Sequence, residues 1–109
     1  MRTRDGHELP PALVGNYLDS LVNRFFKILP IKESGEPSLN EFMSSLQAEL
    51  IGCRDLMEDL HHDAMYMSLL SVLQYLIDND CDVKVVKREV FKSISLLKKL
   101  KQRYGGKEV

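Results

Sequence analysis

Three clusters in this sequence place chemically capable side chains at short spacing. The first is Asp78-Asn-Asp80-Cys-Asp82-Val-Lys-Val-Val-Lys-Arg-Glu89, which sets acids at loop positions 1, 3, 5 and 12 of the calcium-binding pattern, with an aliphatic residue at 8. Position 6 of such a loop needs glycine for its sharp turn, and here it is Val83, a β-branched residue that resists positive φ. Lys87 and Arg88 also put cations beside the would-be site, and no second loop exists to pair with it. Three acids capping a helix N-terminus, where the dipole favours negative charge, explain the run at lower cost. A degenerate calcium loop built from Asp78, Asp80, Asp82 and Glu89 is therefore the third-ranked reading, and no metal or other cofactor is expected.

The second cluster, His61-His62-Asp63, carries zinc-type donors, with Cys53 eight residues earlier. Adjacent positions on a helix diverge by about 100°, so these side chains do not converge without a fold-back, and a solvated helix junction is the simpler account. The familiar catalytic patterns are missing: no glycine-rich phosphate loop, no nucleophile elbow, no His-Glu-x-x-His. The expectation is a protein that is not an enzyme.

The third cluster is the basic segment near the C-terminus. From Asp82 onward there are nine Lys and Arg against three acids, a net of +6, whereas residues 1 to 81 hold six basic and thirteen acidic side chains, a net of −7. On a helical wheel Lys84, Lys87, Arg88 and Lys98 lie three, four or seven residues from Phe91 and share its outward face, joined by Lys92 and Lys99. On the opposite shoulder Glu89 sits among Val85, Leu96 and Leu100. An aromatic ring amid cations has two accounts. Either a loop or the N-terminal segment covers it, or it anchors an interface, as aromatic residues in interface hot spots do. Stacking on a base while cations neutralise phosphates is the alternative use, but a pI near 6.3 is low for a dedicated nucleic-acid binder. Glu49, Asp55, Glu58, Asp59 and Asp63 offer these cations an internal home if the last helix packs beside them.

These residues must be positioned by one domain, because a chain of 109 residues supports a single core. With 44% hydrophobic and 28% charged residues, the composition is that of a folded globular chain. Neither a secretory leader nor an 18-residue apolar run is present, so an intracellular, cytoplasmic protein without membrane contact is expected, with Cys53 and Cys81 as free thiols.

Apolar residues recur at helical spacing throughout, which predicts an all-α fold. The first helix starts at Pro10-Pro11 and is expected to stop before Pro30, with residues 30–37 as a loop. The second begins at a Ser38/Glu41 capping box and carries Leu39, Phe42, Met43, Leu46 and Leu50 as its buried row. Gly52 is placed to end it in the left-handed conformation, but Cys53, Leu56, Met57 and Leu60 keep the same spacing, so a kinked continuation or a separate short helix is equally admissible. The third runs from an Asp63 cap to Ile77 and is apolar nearly all round, as a central element would be. The last runs from an Asp82 cap to Gly105-Gly106 over a core row of Val83, Val86, Val90, Ile94, Leu97 and Tyr104. Short connections then predict a small antiparallel bundle of four helices spanning 1–109, with residues 1–9 and 105–109 as flexible tails.

The functional expectation is a binding module that acts through a protein partner or a second copy of itself, such as a homodimer. Its contact surface would be Phe91, Lys84, Lys87, Arg88 and Lys98, with nucleic-acid binding through the same face as the alternative.

Overall fold

The structure, a computed structural model, describes residues 1–105 and is all-helical. Four long helices, α1 (Pro11–Glu33), α2 (Leu39–Leu56), α4 (Ala64–Asp78) and α5 (Val83–Tyr104), are joined by short connections, and a single-turn helix α3 (Glu58–His61) lies between α2 and α4. Each long helix runs antiparallel to the next, and α5 returns beside α1, where it makes the largest helix–helix contact of the molecule. The register of that pair is visible in three contacts: Gly15 against Gly105, Lys101 Nζ to Asp19 Oδ2 at 2.9 Å, and Phe26 against Phe91. Short connections set consecutive long helices side by side and antiparallel, and the return of α5 to α1 closes the bundle.

The core forms where the apolar stripes meet. Leu21, Phe25 and Ile28 of α1, Leu46 and Leu50 of α2, Tyr66, Leu69 and Leu73 of α4, and Val90, Leu97 and Leu100 of α5 are fully buried. α4, expected to be enclosed nearly all round, buries Tyr66, Leu69, Leu70, Val72, Leu73 and Leu76 on one broad face and leaves Met67 and Tyr75 exposed on the other, because its packing partners are α2 and α5. Its Tyr66 hydroxyl is satisfied inside the core by donating to the Leu50 carbonyl at 2.6 Å. Ser68 and Ser71 donate back to carbonyls of their own helix, and Gln74 bridges to Gln47 of α2 at 2.8 Å, so the polar strip of α4 is its watered edge.

Helix boundaries agree with the expected caps in two cases, depart from expectation at Pro30 and Ser38, and at Gly52 resolve alternatives the spacing leaves open. Asp63 Oδ1 accepts from the amides of Met65 and Tyr66, and Asp82 Oδ1 from that of Val85, so both acids cap as expected. Pro30, expected to stop α1, lies inside it. Only one backbone donor is lost there, buried Ile28 and half-buried Ile31 carry the packing past it, and Gly35 at φ 69° is what ends the helix. The Ser38/Glu41 capping box does not form: Ser38 is in the α conformation, and its hydroxyl turns to Glu36 at 3.4 Å. Gly52 neither ends nor splits α2, since Leu50 before it and Met57 after it are buried in the same core; the break falls at Met57, whose extended backbone starts α3. In α5, Val83 is exposed and Tyr104 half-buried, and their places in the buried row are taken by Ser93 and Leu100.

Residues 1–9, expected as a free tail, instead form a tight hairpin whose turn uses Gly6 at φ 93°. The Leu9 amide donates to the Met1 carbonyl and the Thr3 amide to that of His7, both at 2.8 Å. The hairpin is pinned to the α2–α3 junction by Arg4 N to Leu56 O (2.9 Å), Glu58 N to Arg2 O (3.0 Å) and Arg2 N to Asp59 Oδ2 (2.8 Å). At the other end, the expected tail begins at Gly105, and residues 106–109 lie outside the described residues.

Asp63 is the most constrained polar group of the fold. Its side chain is wholly buried, and while Oδ1 caps α4, Oδ2 accepts from Arg103 Nη1 (2.9 Å) and the Tyr104 hydroxyl (2.6 Å) at the end of α5. Burial alone would raise the carboxyl pKa, but donors from Tyr104, the Tyr66 amide and Arg103 outweigh it and hold the group below the usual carboxylate range. A depressed pKa supplies stability that is fully present above the unfolded value near ~4 and is lost as pH falls through the folded one.

The Asp63→Asn variant should keep the cap but lose the charged partner of Arg103, costing ~1.5–3 kcal/mol at pH 7 by denaturant unfolding. The gap from the natural protein should close below about pH 4. Gly52, helical with open space where a Cβ would stand, should gain ~0.5–1 kcal/mol on replacement by Ala, read as a higher urea midpoint at constant slope.

Candidate interaction surface

The basic face of α5 stands in solvent, set outward because Val86, Val90, Ile94 and Leu97 commit the opposite side of the helix to the core. Lys84, Lys87, Arg88, Lys92, Lys98 and Lys99 are all exposed. Phe91 lies among them with 44% of its surface accessible. Its neighbour is Phe26 of α1, 42% accessible, with ring centroids 5.9 Å apart and planes at 84°. Edge-to-face contact suits the aromatic quadrupole, so the two rings hold each other in place while each leaves an edge or face to water.

The expected internal neutralisation is largely absent. α5 packs on α1 and α4, whereas Glu49 faces α1, where it accepts from Tyr17 (2.9 Å) and Arg24. Asp55 pairs with Arg54 at 3.4 Å, and Asp59 takes the Arg2 amide. Of the five acids, only Asp63 meets a cation of α5, and that cation is Arg103, outside the Phe91 face. Among the described residues no carboxylate comes within ion-pair distance of Lys84, Lys87, Lys92, Lys98 or Lys99. Arg88 reaches the half-buried Glu89 at 3.2 Å, which gives that acid its partner at the edge of the apolar arc.

Phe26 is a surface residue absent from the expected contact set, since helical spacing from Phe25 and Leu29 places it with the apolar residues of α1. Its signal was local: it stands directly before Lys27 and three residues after Asn23, both exposed. What could not be read was the α1–α5 register that brings it to Phe91.

The acids of the calcium pattern do not converge. Asp78 accepts from Gln74 (2.9 Å), Asp80 from Lys32 (3.4 Å), Asp82 caps α5, and Glu89 is held by Arg88. Val83 begins α5 where a loop would turn. His61 and His62 stack edge-to-face with centroids 5.0 Å apart at the exposed end of α3, while the neighbouring Asp63 points inward. Among the described residues no group of three or more His, Cys, Asp or Glu side chains is placed to hold a metal ion. Cys53 and Cys81 are free thiols, and no helix among the described residues is long and apolar enough to cross a membrane.

No family model, no curated protein and no solved structure matches this chain.

A double-mutant cycle tests the aromatic pair. Phe26→Ala and Phe91→Ala should each cost well under the ~3–5 kcal/mol of a core phenylalanine, with a coupling of ~0.5–1.5 kcal/mol between them. A core-sized loss for Phe91→Ala would show that the ring supports the fold rather than the surface.

Proposed function

We propose that this protein is a small, non-enzymatic binding module whose working surface is the α1–α5 face centred on Phe26 and Phe91. It serves a protein partner, or a second copy of itself, in a reducing compartment such as the cytoplasm. The observation that carries the reading is a half-exposed aromatic pair ringed by lysines that have no carboxylate partner among the described residues.

The physical case runs from desolvation. Two rings with about two-fifths of their surface in water offer apolar area whose removal from water favours association. The surrounding ammonium groups carry no internal pairing that would have to be broken first. Such charges set orientation and encounter rate more than affinity, so the complementary surface is apolar at its centre and acidic at its rim. The lysines alone would equally suit a phosphate backbone, but the remainder of the molecule is net acidic and would repel one.

The paired substitution Phe91→Ala with Lys87→Glu should abolish association while leaving helical circular dichroism and melting temperature nearly unchanged. Light scattering over a concentration series, with and without an acidic amphipathic partner peptide, reads the loss. Salt separates the nucleic-acid alternative: a backbone contact loses affinity with a log–log slope of about −0.7 to −0.9 per phosphate neutralised. A slope of several units on DNA or RNA, abolished by the same substitutions, would replace the protein-partner reading.

A further inference from the structure

We propose that the pocket beneath the N-terminal hairpin is a binding site for a neutral, apolar small molecule of roughly six to ten carbon atoms. The pocket has a volume of about 240 Å³ and lies between the hairpin, the start of α1 and the α2–α3 junction. It shares no residue with the basic face.

Met1 and Leu9 of the hairpin form its roof, Met57 and Leu60 its floor, and Leu13, 55% exposed, its rim. Interiors of this size ordinarily close down to voids no larger than a water molecule, because atoms lining a gap forfeit their dispersion contacts. This pocket stays open because the hairpin is held above it by backbone hydrogen bonds to Leu56 and Glu58 and by Asp59, which fix its height independently of what lies beneath.

The polar atoms of the lining exclude a charged occupant. The Tyr17 hydroxyl already donates to Glu49 at 2.9 Å, and burial raises the Cys53 thiol pKa, keeping it protonated. No cationic or anionic side chain lines the wall, and the α-ammonium of the lining residue Met1 is already engaged by Glu8 at 3.8 Å, so an ion entering the pocket would lose hydration without a free counter-charge to replace it. The volume sets the size. An aliphatic cavity of ~150 Å³ takes benzene, and this one is larger by about half. Two of the surrounding side chains are methionines, whose flexible thioethers adapt to irregular apolar shapes.

The five methionines make the test self-controlled, because Met1 and Met57 line the pocket whereas Met43, Met65 and Met67 do not. Titration of 1-octanol into the full chain labelled with ¹³C at the methionine methyls should move the Met1 and Met57 signals saturably and leave the other three in place. Octanoate at pH 7 should bind at least about tenfold more weakly, since its carboxylate finds no partner. The Cys53→Leu variant, which fills the wall, should cut octanol affinity tenfold or more. Should that variant not fold, alkylation of the natural protein serves instead: octanol should slow modification of Cys53 and leave Cys81 unaffected. Absence of saturation up to the solubility limit of octanol, equal movement of all five methyl signals, or unprotected Cys53 would overturn the proposal.

Discussion

A single buried carboxylate closes this bundle. Asp63 starts α4 with one oxygen and holds the end of α5 with the other, so α4 and α5 are tied at the same atom group. The charge is tolerated out of water only because four donors converge on it, two amides, a guanidinium and a phenol. The arrangement also sets where α5 lies along α4, and through that the register of α5 on α1. The meeting of Phe26 with Phe91 is downstream of that register: a shift of one turn, about 5.4 Å, would separate the rings and move the lysines with them.

The elements that could be read from sequence were those whose determinants are local. Asp63 and Asp82 each stand immediately before an apolar-periodic run, and the structure uses both as caps. The outward placement of Phe91 followed from period alone. Failures came where burial at long range overrode a local signal. Pro30 is a breaker by propensity, yet it sits between residues that the core requires, and packing a helical row outweighs one missing donor; the same packing carries α2 through Gly52, where the local spacing left the outcome open. The N-terminal hairpin was illegible for a different reason. Its anchors are Leu56, Glu58 and Asp59, with 57 residues separating the Arg2 amide from the carboxylate that receives it.

Charge in this molecule is separated by function in the fold. Acids are spent at helix starts and on the α1–α2 seam, where Arg24 holds Glu49 below the usual carboxylate range, helped by the Tyr17 donor and opposed by partial burial. Among the described residues the lysines around Phe91 have no carboxylate partner. Self-repulsion among them is a standing cost to α5, modest in water at physiological salt, and the relief of that cost is available to any acidic surface that docks there.

The pairing of the first long helix with the last has a consequence for how the chain is made. During synthesis α1 emerges well before its principal neighbour, and until α5 is complete its apolar stripe can be shielded only by α2 and by contacts foreign to the final fold. Hairpins such as α2–α4 and α4–α5 close over short loops and form early, whereas the α1–α5 seam requires joining segments separated by most of the sequence. Loop closure makes the α1–α5 seam the entropically costliest of these contacts to form, and the aromatic pair depends on it: wherever the first and last helices are apart, Phe26 and Phe91 are apart and the surface they share is absent.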